Sequence, residues 1–282
     1  MIQLEEITSN PGFSNQLENK ILYSNHSEDT SVTYQSTYTI KYVIEGIKYY
    51  SFDNQNLKVS GNEYLILNNS QINTEAKKGT KGLSLFLSPK LINEVSHFHF
   101  GQNFPIRFLE IIQKNANQKI KNLLDKIVYL YLNNRMSLNQ QLDQLFMIIS
   151  ELIIQEQVSI DDNFKKLKIV RHNTRRELYK SVIEARTYFN DNFRDKISLD
   201  TVSRDMGISK YYLHRLFKEI NGKTPLEYLT DIRLENAKNK LQNSKASIFE
   251  IAITSGFDNT AYFSNVFKKH FGLSPTQFRK TI

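Results

Sequence analysis

Hydrophobic positions alternate with polar ones over roughly the first third of the chain, and then begin to recur every three to four residues. Ser31–Tyr42 carries Val32, Tyr34, Tyr38, Ile40 and Tyr42, β-branched and aromatic side chains in the period-two pattern of a strand. Shorter strands are predicted at Ile47–Phe52, Leu57–Val59, Tyr64–Leu67 and Leu83–Leu87. Turn signals separate them at Glu45-Gly46, Asp53-Asn54, Ser60-Gly61-Asn62, Asn68-Asn69-Ser70 and Lys78-Gly79. Many short strands at this spacing predict a sandwich or barrel.

From about Ile106 the period is helical. Ile120, Leu123, Leu124, Ile127, Val128 and Tyr131 lie on one stripe, and Leu138, Leu142, Leu145, Phe146, Ile149, Leu152 and Ile153 on another. The second stripe, on a helix over Leu138–Ile154, suits pairing with a second copy of itself across a two-fold axis. It equally suits burial inside one chain. Val158–Arg175 is polar and charged with little apolar repeat, so a linker is expected there. The expected domains are 1–157 and 176–282.

An internal repeat follows. Phe217-Lys218, Gly222, Thr224-Pro225 and Tyr228 recur 50 residues later as Phe267-Lys268, Gly272, Ser274-Pro275 and Phe278. Upstream the offset falls to 49, with Val202-Ser203 matching Ile251-Ala252, so the second copy has a turn one residue longer. Each copy reads as helix, tight turn, helix. In the first, Gly207 marks the turn and Ser209 the next N-cap. Leu213, Leu216, Phe217 and Ile220 face inward, which leaves Lys210, Tyr211, His214, Arg215 and Lys218 facing outward. In the second, Gly256 and Asn259 take the same places. Phe263, Val266, Phe267 and Phe271 face inward, and Thr260, Ala261, Ser264, Asn265 and Lys268 outward.

Charge sharpens this picture. The formal net charge is +8, and residues 1–170 hold 17 basic and 17 acidic side chains. The whole excess therefore lies with the repeat. Release of counterions from neutralised phosphates is the physical reason to expect a nucleic acid there. A short turn followed by a helix with a polar, basic outer face is how a helix-turn-helix lays a recognition helix in a major groove. The chain has no cysteine, which excludes disulfides, thiolate catalysis and Cys-bound zinc. The start Met1-Ile-Gln-Leu-Glu-Glu lacks the basic and apolar run of a signal peptide, and no apolar stretch is long enough to span a bilayer. A cytoplasmic protein is expected.

Over about Glu177–Lys280 these motifs resemble the C-terminal domain of the AraC/XylS family of transcription regulators. The strongest segment runs from Ile248-x-Glu250-Ile251-Ala252 through Gly256-Phe257-x-Asn259, Tyr262-Phe263 and Phe267-Lys268 to Gly272-x-Ser274-Pro275-x2-Phe278-Arg279. The first copy fits through Leu199, Ser209, Leu213, Phe217-Lys218, Gly222, Pro225 and Arg233-Leu234. Ser203, where the family usually has alanine, and Ala261, where it usually has serine or glutamine, depart from the pattern. The resemblance implies that a connecting helix over Leu226–Gln242, about 25 Å long, sets the two recognition helices in successive major grooves. Arg233 either braces that helix or is simply solvated. The implied base readers are Tyr211, His214 and Arg215 in the first motif, and Thr260, Ala261, Ser264 and Asn265 in the second. Ser209, Lys210, Lys218, Asn259, Lys268 and Lys269 complete the implied DNA contacts. Double-stranded DNA and RNA polymerase are the implied partners, and an activator the implied role.

The resemblance also implies an effector or dimerisation domain at the other end. The expected fold class is therefore α+β: an N-terminal cupin-like β-barrel with a helical dimerisation segment, then an all-α domain with two helix-turn-helix motifs. Gly61-Asn62-Glu63-Tyr64-Leu65-Ile66-Leu67 is similar to a strand of that barrel. Tyr38, Ile40, Tyr42, Tyr49 and Phe52 are candidates to line an effector pocket, or, as such a stripe more often does, to build the core. His97-Phe98-His99 on a strand would give two rings on one face, yet no glutamate follows at a metal-binding spacing. No metal, cofactor or enzymatic activity is expected. The alternatives are an N-terminal domain that only dimerises or senses a protein, a cupin metalloenzyme carrying a DNA-binding domain, and a non-specific architectural DNA protein.

Overall fold

The computed structural model describes residues 2–9, 18–53, 55–100, 106–113, 118–166 and 172–281. The chain divides into two compact units, Met1–Asp162 and Asn163–Ile282.

The first unit holds β1 (Gln3–Ile7), β2 (Lys20–Asn25), β3 (Thr30–Gln35), β4 (Tyr38–Glu45), β5 (Ile47–Phe52), β6 (Gln55–Ser60), β7 (Glu63–Leu67), β8 (Gln71–Ala76), β9 (Lys81–Leu87) and β10 (Ile112–Gln113). Its helices are α1 (Pro89–Phe100), α2 (Gln118–Asn133) and most of α3 (Arg135–Lys166). The strands form two sheets, in the orders β1-β2-β9-β4-β7-β10 and β3-β8-β5-β6. Among the described residues no ladder joins the two, so the expected closed barrel is instead a pair of open sheets. Ser31–Tyr42, expected as one strand, is two. At Ser36-Thr37 the chain leaves the small sheet for the large one. Ser36 N–H donates to the Ser70 carbonyl at 2.9 Å and the Thr37 hydroxyl to the Leu87 carbonyl at 2.5 Å, which satisfies the backbone at that corner.

One face of the large sheet packs under the helices. Ile40, Tyr42, Tyr64, Ile66 and Leu85 share a core with Ile92 of α1, Leu124 and Ile127 of α2, and Leu142, Phe146 and Ile149 of α3. The other face meets the small sheet through Val43, Tyr50, Phe52, Val59, Leu65 and Ile72, and through Ile7, Leu22, Tyr34 and Phe86.

Three further expectations are corrected here. The stripe on Leu138–Ile154 is consumed inside the chain, with Leu138, Leu145, Phe146 and Ile149 no more than 2% exposed, so it is not open to a second copy. The expected linker is largely helix: α3 continues to Lys166 and α4 starts at His172, while 167–171 lie outside the described residues. Lys165 and Lys166 favour helix, and the segment has too little apolar repeat for that helix to be read from the sequence. Finally, His97 and His99 sit in α1 rather than on a strand, where a spacing of two turns their rings to different faces.

The second unit is all helix: α4 (His172–Asn192), α5 (Leu199–Asp205), α6 (Lys210–Asn221), α7 (Pro225–Asn243), α8 (Ile248–Thr254), α9 (Thr260–Phe271) and α10 (Pro275–Lys280). Among the described residues, no helix is long and apolar enough to cross a membrane.

Candidate nucleic-acid interface

Each copy of the repeat is a short helix, a glycine turn and a twelve-residue helix. α6 and α9 begin 50 residues apart, whereas α5 and α8 begin 49 apart, because the second turn carries one more residue. Gly207 and Gly256 adopt φ of +66° and +90°, a conformation that costs an L side chain energy.

α6 starts at Ser209, whose hydroxyl accepts from Tyr212 N–H at 3.3 Å. It stops at Gly222, φ +72°, whose N–H donates to the Lys218 carbonyl at 2.9 Å. Leu213, Leu216 and Phe217 are fully buried on its inner face. Lys210, Tyr211, His214, Arg215 and Lys218 are all exposed, Tyr211 by 76%. The Arg215 guanidinium lies 4.7 Å from the Tyr212 ring centre, a stack that holds it extended. Among the described residues no carboxylate pairs with it. Lys210 does have such a partner, Asp200 at 2.8 Å.

α9 repeats the device. The Asn259 side chain accepts from Tyr262 N–H at 2.9 Å, and Gly272, φ +80°, closes the helix on the Lys268 carbonyl at 2.9 Å. Ala261, Asn265, Lys268 and Lys269 are exposed, and Thr260 and Ser264 half-buried. The inner face is aromatic. Phe263, Phe267 and Phe271 run ring to ring at 5.5 and 4.6 Å, and Phe278 of α10 joins Phe267 at 5.6 Å.

α7 belongs to both motifs. Its capping box, Thr224 with Glu227, fixes the start. Tyr228 then packs on Phe217 at 5.4 Å, while Leu234, Ala237 and Leu241 enter the core of the second motif beside Ile251, Phe263 and Phe267. Nineteen residues give roughly 28 Å of rod. Arg233 is a brace. Its Nε donates to the Phe193 carbonyl at 2.7 Å and its terminal nitrogen to the Asp195 carbonyl at 2.9 Å. That role is not legible in the sequence, because both acceptors are backbone atoms that no motif encodes. Ser203, the departure from alanine, is buried but donates to the Asp200 carbonyl at 3.1 Å within its own helix.

The five pocket candidates of the N-terminal unit are not brought together. Ile40 and Tyr42 face the helices, where the Tyr42 hydroxyl donates to Asp125 at 2.5 Å. Tyr38 donates to the Ile106 carbonyl at 2.9 Å. Phe52 is in the core between the sheets, and Tyr49 is on the surface. A cavity between the sheets is lined by none of them.

Residues 202–281 match the model of a helix-turn-helix domain family. The chain is 32% identical over 165 residues to a helix-turn-helix-type transcriptional regulator from the cgkA 5′ region of Pseudoalteromonas carrageenovora, across 58% of this chain and 95% of that protein. It is 42% identical over 84 residues to a protein of Proteus vulgaris named probable transcription factor PqrA, across 30% of this chain and 69% of that one. Among solved structures, the C-terminal domain of the response regulator AraT from Geobacillus stearothermophilus is 37% identical, with a TM-score of 0.35 across 36% of this chain and 85% of that one.

Proposed function

The chain belongs to the AraC/XylS family of transcription regulators, and we propose on that premise that its first recognition helix, α6, supplies most of the sequence discrimination, with Arg215 as principal base reader. The observation that carries this reading is the outer face of α6. Tyr211, His214, Arg215 and Lys218 stand exposed on a helix locked from behind by three buried side chains. An unpaired guanidinium there has the geometry to take guanine O6 and N7 together. The α9 face is shorter: Thr260, Ala261, Ser264 and Asn265 offer a methyl contact or single hydrogen bonds, with Asn265 suited to adenine. Lys268 and Lys269, with Lys210 on α6, serve phosphates and fix register. Ser209 and Asn259 already spend their side-chain oxygens as helix caps, so they contribute through the helix N-termini they shape.

The first unit is read as a cupin-like sensing half in which a small effector biases DNA binding, the whole acting as a cytoplasmic activator in contact with RNA polymerase. A homodimer would present four recognition helices. The apolar surface left for it on α2 and α3 includes Tyr129, Leu132, Met136 and Met147, all exposed.

Selection of bound genomic fragments by the wild-type chain and by Arg215→Ala tests the reading. The variant should lose about 1–3 kcal/mol at one guanine position and relax preference there. Lys268→Ala should weaken all sites alike and lower the salt slope by about one. An Arg215→Ala protein with undiminished preference refutes the assignment. Binding without any preference at ~150 mM salt points to an architectural protein instead.

A further inference from the structure

Two lysines are buried face to face between the sheets of the first unit. Lys41 comes from β4 of the large sheet and Lys48 from β5 of the small one, and they are 2% and 4% exposed. Lys41 Nζ donates to the Tyr34 hydroxyl at 2.6 Å and the Ser84 hydroxyl at 3.3 Å, and lies 4.4 Å above the Phe86 ring. Lys48 Nζ donates to the Ser24 hydroxyl at 2.6 Å. Every one of these partners is neutral. Among the described residues that line the cavity with both lysines there is no aspartate or glutamate. Beside them His26, 7% exposed, holds the Thr30 hydroxyl with Nδ1 at 3.1 Å and leaves Nε2 buried with no hydrogen-bond partner among the described residues. Gly82 makes room for this arrangement, because a Cβ there would lie 3.0 Å from Lys48 Nζ.

A buried cation without a counter-charge is costly, and an apolar side chain of similar size packs there more cheaply. Two lysines and an unpaired imidazole nitrogen around one cavity are therefore a poor core and a good anion receptor. We infer that this cavity binds a small organic monocarboxylate, whose two oxygens are taken by Lys41 and Lys48 and whose short apolar body lies against Ile7, Leu22 and Val32. The size agrees. The cavity, about 40 Å³, is room for roughly three waters, hence for a carboxylate with a body of a few carbons. Ile7, Leu22, Val32 and Phe86 give the lining an apolar side suited to a carbon body, which phosphate lacks, while the hydroxyls of Ser24, Thr30, Thr74 and Ser84 also line the cavity. The phosphate titration below therefore separates the two anions.

The charge state of the empty site supports the geometry. Burial pushes Lys48 down to about 7. Burial, together with the charge of Lys48, pushes Lys41 well below the ordinary lysine value. Burial also pushes His26 down to about 4. A bound carboxylate restores the ammonium form of both lysines, so binding takes protons from solvent.

This inference rests on reading the first unit as the sensing half. The test is calorimetry on the full chain with butyrate, butyramide and inorganic phosphate, in buffers of different ionisation enthalpy. Butyrate should bind saturably with net proton uptake, and butyramide and phosphate at least about tenfold more weakly, the loss of one charge-assisted hydrogen bond. Lys41→Met and Lys48→Met should each abolish butyrate binding while keeping or raising the unfolding temperature, which separates lost binding from lost folding. The site is refuted if no short monocarboxylate binds, if butyramide or phosphate equals butyrate, or if both methionine variants bind as the wild type does. A DNA titration with and without butyrate reads the sensing half separately. Butyrate that binds yet leaves DNA affinity unchanged upholds the site and ends the sensor reading.

Discussion

Replacing the turn glycine by alanine should cost the second motif far more than the first. Gly207 and Gly256 both have positive φ, +66° and +90°, so either substitution carries the penalty of a left-handed L residue, about 1–2 kcal/mol. The surroundings differ. An added Cβ at Gly207 meets nothing within 4 Å, whereas at Gly256 it lies 2.5 Å from the Phe193 carbonyl oxygen and 2.7 Å from Arg233 Nε. Those two atoms are themselves bonded at 2.7 Å, so a methyl there must part them. A hydrogen bond from a charged group contributes about 1.5–3 kcal/mol. Gly207→Ala should then cost about 1–2 kcal/mol and Gly256→Ala about 2.5–5 kcal/mol. Urea denaturation of the full chain gives the size of each loss, and hydrogen exchange over α8 and α9 locates it. A cycle with Arg233→Ala isolates the cause, since the two losses should add to less than their sum. Equal destabilisation by the two alanines, or strict additivity in the cycle, refutes the mechanism.

Arg233→Lys keeps the charge but cannot bridge the Phe193 and Asp195 carbonyls with a planar fork, so it should lose about 1–2 kcal/mol and weaken DNA binding, measured by urea denaturation and fluorescence anisotropy. Ser203→Ala removes a hydroxyl bonded only within its own helix, and its unfolding free energy from urea denaturation should stay within about 0.5 kcal/mol of wild type. Asn259→Ala strips the α9 N-cap and should cost about 1 kcal/mol by the same assay, with loss of affinity at every DNA site. The first unit should gain stability between about pH 7 and pH 9.5. Lys48 is held at about 7 in the folded chain, so the unfolded chain carries the extra proton across that window. The gain is up to about 1.4 kcal/mol per pH unit from Lys48, with Lys41 adding in the same direction. Tyr34, pushed up to about 12, opposes it only once unfolded tyrosines ionise near pH 10. Denaturation midpoints that fall with pH, or a rise that persists unaltered in Lys48→Met, would sink this account.

The helical half was readable because two independent signals coincided. Apolar residues at three and four were repeated at an offset of 50, and glycine, serine and Ser/Thr-Pro marked the ends that the caps now occupy. The sheet half was readable only as strands. Tyr38, Ile40 and Tyr42 are candidates from sequence for a pocket or for the core; they lie in the core shared with α2 and α3, and Lys41, on the alternate face of β4, lines the cavity. Period two assigns residues to two faces without saying which face meets helices and which meets the other sheet. The stronger hydrophobic signal belonged to the helix-covered side. The pair of lysines at opposite inward positions, Lys41 and Lys48, was the available clue, since a lysine flanked by Ile40 and Tyr42 in a buried strand needs a reason. α1 went unread because a strand was expected at His97-Phe98-His99, although Pro89 suits the first position of a helix.

The two motifs are built from one template to different tolerances. Around Gly256 three segments close on one point: the end of α4 through Phe193 and Asp195, α7 through Arg233, and the turn itself. Ser255 beside it is fully buried and bonded to Asn236 of α7 at 3.2 Å, and Lys240 of α7 holds the Thr254 carbonyl at 2.8 Å. At Gly207 a Cβ would meet nothing within 4 Å, and the turn is joined to α4 by one hydrogen bond, from the Ser181 hydroxyl to the Met206 carbonyl at 3.2 Å. The turn that leads into α9 is therefore tied to α7 by several bonds at once, and the outward side chains of α9 are short, with Ala261 and Asn265 exposed and Thr260 and Ser264 half-buried. α6 carries long side chains, with Arg215 steadied on Tyr212. Rigid placement suits contacts to phosphates, whose positions along a duplex hardly depend on sequence, whereas long adjustable side chains suit base edges. The physical asymmetry of the turns and the chemical asymmetry of the helices thus agree with the proposed division, in which the second motif would fix the register in which the first one reads.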